Sequence, residues 1–163
     1  MQTTVATAPP KSVEGEEDGL VKDAITGIVV ESAGIKPGRL VVRDASGDYA
    51  AELPTGLGTL TTVVLGVSLF SQKALVNPSS SNNEIYEDEV EIPLLRHGRV
   101  WVKSENAVTP ADPVFARVAA GAGGTEIGAF RTGADTATAV AWTAAKFLTS
   151  AGASGFVLLE VNM

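Results

Sequence analysis

Short apolar runs recur along the chain from Leu20 onward, each closed by Gly, Pro, Asn or Asp at intervals of roughly eight to twelve residues. That spacing predicts an all-β sandwich or barrel, and helical periodicity is mostly absent. A first strand is expected over residues 24–30, ended by Ser32, Ala33 and Gly34. Residues 40–43 and 49–53 flank a turn from Asp44 to Asp48, in which Gly47 can take positive φ and the Asp and Ser side chains bond the local backbone, so the segment reads as a hairpin. Asp44, Ser46 and Asp48 lack the longer, Glu-terminated ligand ladder of an EF-hand, which leaves them as turn residues rather than calcium ligands. Residues 60–70, rich in Thr, Val and Leu, predict a buried strand or pair of strands bent at Gly66, and residues 77–83 are a loop by composition.

Alternation is clearest after the acidic run. Val90, Ile92 and Leu94 alternate with Glu89, Glu91 and Pro93, which turns the aliphatics inward and the carboxylates to solvent. Arg96, His97 and Gly98 are expected to turn the chain, with residues 99–103 forming the return strand. On that strand Val100 and Val102 share one face, and Arg99, Trp101 and Lys103 share the other. An indole between two cations has the character of an interface anchor, and equally of a lid over a second core layer. Further on, residues 110–113 form a turn, 114–118 a strand, 121–124 a Gly-rich loop and 127–131 a short strand. Residues 134–145 fit both a helical stripe and a strand alternation; frequent β-branched residues and the absence of a capping pattern favour strand. A hairpin closes the chain, 146–150 and 156–161, and a last strand this apolar belongs inside a sheet.

The 163 residues suffice for one domain. Residues 1–19 read as an extended or flexible N-terminal arm, with Val5, Pro9, Pro10 and Val13 as the groups it could lay on a neighbouring subunit, and residues 20–163 as a single β domain. Nineteen acidic against twelve basic side chains give a formal charge of -7, which disfavours nucleic-acid partners. The longest apolar stretch, residues 63–70, falls far short of the ~20 residues that span a bilayer, and no secretory signal pattern is present, so neither a membrane nor export is expected. With no cysteine, disulfides, thiolate zinc sites and thiol nucleophiles are excluded.

Catalytic signals are sparse. His97 is the single histidine and lies between two arginines. The run around Ser154 misses the nucleophile-elbow spacing by one residue, and Glu126 stands where a dinucleotide loop beginning at Gly121 would need glycine. No enzyme activity, cofactor or metal site is therefore expected. Trp101, Trp142, Tyr49 and Tyr86 could form a sugar-binding platform, which makes a carbohydrate-binding or host-adhesion module the alternative function.

Several runs together carry a resemblance: residues 97–102 (His-Gly-Arg-Val-Trp-Val), 112–117 (Asp-Pro-Val-Phe-Ala-Arg), 128–131 (Gly-Ala-Phe-Arg), 147–152 and 159–162, preceded by Pro37-Gly38-Arg39-Leu40-Val41-Val42 and residues 65–69. The pattern resembles the cement, or decoration, proteins of tailed-phage capsids, over about residues 25 to 162. It departs at Ala111, where Gly is usual before Asp-Pro. The resemblance implies a jelly-roll or barrel-like β protein, made in the host cytoplasm and carried on the outer surface of the virion. There it would bind the major capsid protein as a small homo-oligomer, a homodimer ahead of a homotrimer, and clamp adjacent capsomers. The candidate interface is Val5, Pro9, Pro10, Val13, Tyr86, Arg99, Trp101 and Lys103.

Overall fold

The computed structural model describes residues 14–19, 23–56, 64–71 and 84–163. As the turn-punctuated pattern demands, the described chain is all strand and loop. In order the strands are β1 (Asp23–Val29), β2 (Leu40–Arg43), β3 (Ala50–Glu52), β4 (Val64–Ser68), β5 (Glu91–Lys103), β6 (Phe115–Arg117), β7 (Phe130–Arg131), β8 (Ala139–Ala141), β9 (Ala145–Phe147) and β10 (Phe156–Asn162). The larger sheet runs β1-β3-β2-β4-β5-β10-β9, and β1 also pairs with β5, so the first five of these strands close into a barrel. Closure removes the exposed edges that an open sheet would leave. A second sheet, β7-β6-β8, packs beside it.

The barrel closes on β5, and here the structure corrects the expected turn at residues 96–98. The chain does not reverse there; β5 runs straight through as one strand of 13 residues. Its ladder with β1 pairs Ala24 with Leu95 and then Asp23 with His97, leaving Arg96 as an extra residue. One extra residue is a β-bulge, and because side chains alternate with period two, it exchanges the faces of everything beyond it. Ile92 and Leu94, before the bulge, pack with Val29, Ile35, Val41, Leu65 and Tyr86. Val100 and Val102, after it, pack with Phe130, Trp142, Phe147 and Leu159 in a second core. A bulge and a turn break alternation in the same way along one strand. The partners on both edges, β1 on one side and β4 then β10 on the other, keep the chain extended.

Strand β4 repeats the device. Val41 pairs with Gly66 and Val42 with Val64, so Leu65 is the extra residue; Leu65 enters the Tyr86 core, while Val67 and Leu69 enter the other. The irregularity expected at Gly66 takes the form of this bulge beside it, and close approach of β5 leaves room there only for glycine. Gly66 has φ 150°, and a Cβ there would sit 2.4 Å from the Leu95 carbonyl oxygen of β5.

The hairpin β2–β3 and the hairpin β9–β10 fall where the sequence predicts them, and β10 lies between β5 and β9 as its apolarity requires. The ambiguous stretch 134–145 is not helical. Asp135, Thr136 and Ala137 form a left-handed turn, with φ of 45°, 56° and 65°, and β8 and β9 follow. The predicted loop at 77–83 and the start of the predicted strand at 60–63 lie outside the described residues.

Gly66→Ala should destabilise the fold by about 1–3 kcal/mol, since the neighbour a methyl group would meet is backbone and cannot rotate away. Urea denaturation would show this as a lower midpoint with an unchanged slope.

Candidate functional site

Residues 14–18 lie along β5 on the same edge as β1, continuing its line. The Gly15 N–H donates to the Trp101 carbonyl at 2.7 Å, the Trp101 N–H to the Glu16 carbonyl at 2.8 Å, and the Asp18 N–H to the Arg99 carbonyl at 3.2 Å. Phe70 N–H closes the other side on the Gly15 carbonyl. Gly15 is required at this crossing: its φ is 83° and a Cβ would lie 2.7 Å from that of Pro37. The final part of the region read as an arm thus lies against β5 through an isolated bridge, Glu17 to Val100, and these backbone bonds, with the Glu14 side chain adding an ion pair to Arg39. Val5, Pro9, Pro10 and Val13 lie outside the described residues.

Where this segment meets the second sheet, a groove of about 650 Å³ opens, lined among others by Glu14, Lys36, Arg39, Lys103, Glu105 and Glu126. Most of its charges are paired. Arg39, 5% exposed, spans Glu14 and Glu126 at 2.5 and 3.1 Å, and Lys36 reaches Glu126 at 3.0 Å. Burial pushes the Glu14 carboxyl above its ordinary range despite Arg39 and the Lys103 N–H, which favour the charged form. Burial also pushes Glu126 upward, but Lys36 and Arg39 together outweigh it and its carboxyl ends below the usual range.

Glu105, in the groove lining, belongs to a second ion cluster. Arg117, with no exposed surface, forks onto Glu105 at 2.6 and 2.8 Å and reaches Asp135 at 2.7 Å, with Thr138 Oγ1 and the Ala119 carbonyl accepting its remaining donors. Arg131 bridges the same two carboxylates at 3.1 and 2.9 Å. Two guanidinium groups and two carboxylates close a neutral set. Asp135 also accepts the Gly123 N–H, and these bonds hold the left-handed turn 135–137 against its backbone strain. The Gly-rich loop lies flat on the cluster. A Cβ on Gly121 would sit 2.4 Å from Thr138 Oγ1, and one on Gly124 2.3 Å from Glu105 Oε1. Gly121 and Gly124 bond each other through both N–H groups, so the loop's amides are spent internally and make no phosphate cradle. Among the described residues no group of His, Asp and Glu is arranged to hold a metal ion.

The remaining sequence candidates separate. Tyr86 is wholly buried, its hydroxyl donating to the Leu69 carbonyl at 2.7 Å, so it offers no surface for contact. Trp142 is core, stacked on Phe130 at 5.9 Å between ring centroids. With both inside and Tyr49 in the turn before β3, the four aromatics do not assemble into a sugar platform. Arg99, Trp101 and Lys103 share the outer face of β5, Arg99 and Lys103 exposed and Trp101 half-buried. Arg99 is paired with Glu160 at 3.4 Å, and Lys103 touches Glu14 through its backbone N–H at 3.3 Å. Arg39, Arg117, Glu105 and Asp135 were missed as a constellation, because the folding that brings four separate segments together leaves no local spacing to read.

Residues 1–162 match the family model described as structural cement protein (E217 gp24/Pam3 gp6). The chain belongs to this family of phage structural cement proteins. A chain from the capsid of Myoviridae phage XM1 shares the fold at a TM-score of 0.63 and 20% identity, with 99% of this chain and 97% of that one covered. No curated protein matches the sequence. A cement-family chain is a structural component of the phage capsid, in keeping with a groove most of whose ionisable groups are engaged in structural pairs.

Glu105→Gln leaves the buried Arg117 short of its forked carboxylate and should cost about 3 kcal/mol, read by denaturant unfolding. The pH dependence follows from the same cluster. The hydrogen bond from Arg117 holds the Asp135 carboxyl below the usual range. Asp135 therefore stabilises the fold above its unfolded value and loses that contribution as pH falls from about 3.8 through the lower folded value. Asp135→Asn should flatten the acid limb of the stability curve. Glu14 acts with the opposite sign, since its raised value makes the fold take up a proton early, and Glu14→Gln should steepen that limb.

Proposed function

We propose that this protein binds the outer surface of the major capsid protein shell and clamps adjacent capsomers, stabilising the mature virion without catalysis. The observation that carries the reading is the family match, which spans residues 1–162 rather than one motif. The fold supports it. A closed barrel whose strand β5 is bonded along both edges, with ion pairs buried at the junction of the two sheets, resists deformation under load. In this role Val5, Pro9, Pro10 and Val13 contact a neighbouring subunit, while residues 14–18 are tied to β5 through the backbone. On this reading the protein is made in the host cytoplasm and acts as a homodimer. Its contacts need only modest strength, because repetition over a closed lattice multiplies them. Nucleic acid and membrane are not partners.

Capsids lacking the protein should lose packaged DNA at lower temperature than complete ones, and adding back the full chain should restore the difference, whereas a chain lacking residues 1–13 should fold and restore less. Equal heat resistance of deficient and complete capsids would contradict the proposal.

A further inference from the structure

One face of the barrel is apolar where its neighbours are acidic. Ile28 and Val30 on and just beyond β1, and Tyr49 just before β3, are 48%, 39% and 62% exposed. The ladder puts Ala50 opposite Ile28, and Tyr49 adjoins that pair from the turn that enters β3: the Ile28 N–H donates to the Tyr49 carbonyl at 2.8 Å and the Val30 N–H to the Ala51 carbonyl at 3.0 Å. The same register surrounds them with carboxylates. Ile28 sits opposite Glu91 of β5, Glu89 bonds the Val29 carbonyl, Glu31 follows Val30, and Glu52 ends β3. Burial, then the charges of Asp44 and Glu31, push the Glu52 carboxyl upward, so like charges are crowded at this rim. Arg43 of β2, the cation beside it, is engaged by Asp48 at 3.2 Å.

We infer that this β1–β3 face is the docking surface for the capsid shell, and that it takes a shell segment presenting an aliphatic side chain flanked by Lys or Arg. The inference rests on the capsid-binding reading above and gives it a location and a chemistry. Large exposed apolar side chains gathered in one place mark interaction surfaces, and the acidic rim selects a cationic partner while steering its approach. A second copy of this chain complements it less well, since of its described cations only Arg96 and Lys103 are outside ion pairs. Among the described residues Arg39, Arg117 and Arg131 are committed to buried ion pairs, and Lys36, Arg99 and Lys146 to carboxylates. Of the cations flanking Trp101, the obvious sequence candidate for an anchor, Arg99 is paired with Glu160.

The test is binding of the full-length protein to capsids stripped of it, measured by co-sedimentation across a salt series. Two double variants are compared, Ile28→Ser with Tyr49→Ser and Glu31→Gln with Glu52→Gln, each checked by thermal melting, with Tyr49→Ser alone as the fallback should the first not fold. The apolar variant should weaken binding about tenfold or more, and the charge variant should weaken it at low salt and lose most of the salt dependence. Wild-type binding with both variants unchanged overturns the docking surface and leaves the cement function standing. Failure of the wild type itself to bind overturns the function. A wild-type oligomer that the apolar variant converts to monomer, with capsid binding retained, makes the face a contact between copies and overturns the inference.

Discussion

Strand β5 is hydrogen-bonded on both edges for nearly its whole length, and the rest of the molecule is arranged around that constraint. Residues 14–18 and β1 occupy one edge, β4 and β10 the other. A single flat strand of 13 residues could serve only one core on each face. The bulge at Arg96 lets it present aliphatic side chains to the Tyr86 core with one half and to the Phe130–Trp142 core with the other. The matching bulge at Leu65 lets β4 follow it. Continuous strands thus join the two cores, which suits the clamping role proposed above.

Charge plays a second structural part. The chain is strongly acidic, yet Arg39 with Lys36, and Arg117 with Arg131, are drawn into two pair networks at the junction of the sheets. A carboxylate and guanidinium set buried this deeply adds little net stability against an apolar replacement, but it punishes any alternative packing that would strand one member. The cluster also fixes the left-handed turn 135–137 and the Gly-rich loop above it. Drawing cations inward leaves acidic groups to dominate elsewhere, including the rim of the Ile28 and Tyr49 face.

Much of the local structure was legible in the sequence. The hairpin across Asp44–Asp48, the irregularity at Gly66 and the buried final strand follow from turn chemistry and apolar runs that are properties of contiguous residues. The continuity of β5 was not legible, because Arg96, His97 and Gly98 interrupt alternation identically in a bulge and in a turn; only the strands on either side decide between them. The left-handed turn at Asp135 depends on arginines 18 and 4 residues away in the chain. Tyr86 and Trp142 looked available for binding, and tertiary packing put both inside. The family pattern reached further than periodicity, since it registers runs spread across the chain at once.

A reconstruction of the phage capsid with this protein bound tests the central claim most directly. The account predicts barrel-shaped density on the outside of the shell, bridging adjacent capsomers, with the β1–β3 face against the major capsid protein. Density confined to the interior, or confined to one capsomer with no bridging contact, would contradict it.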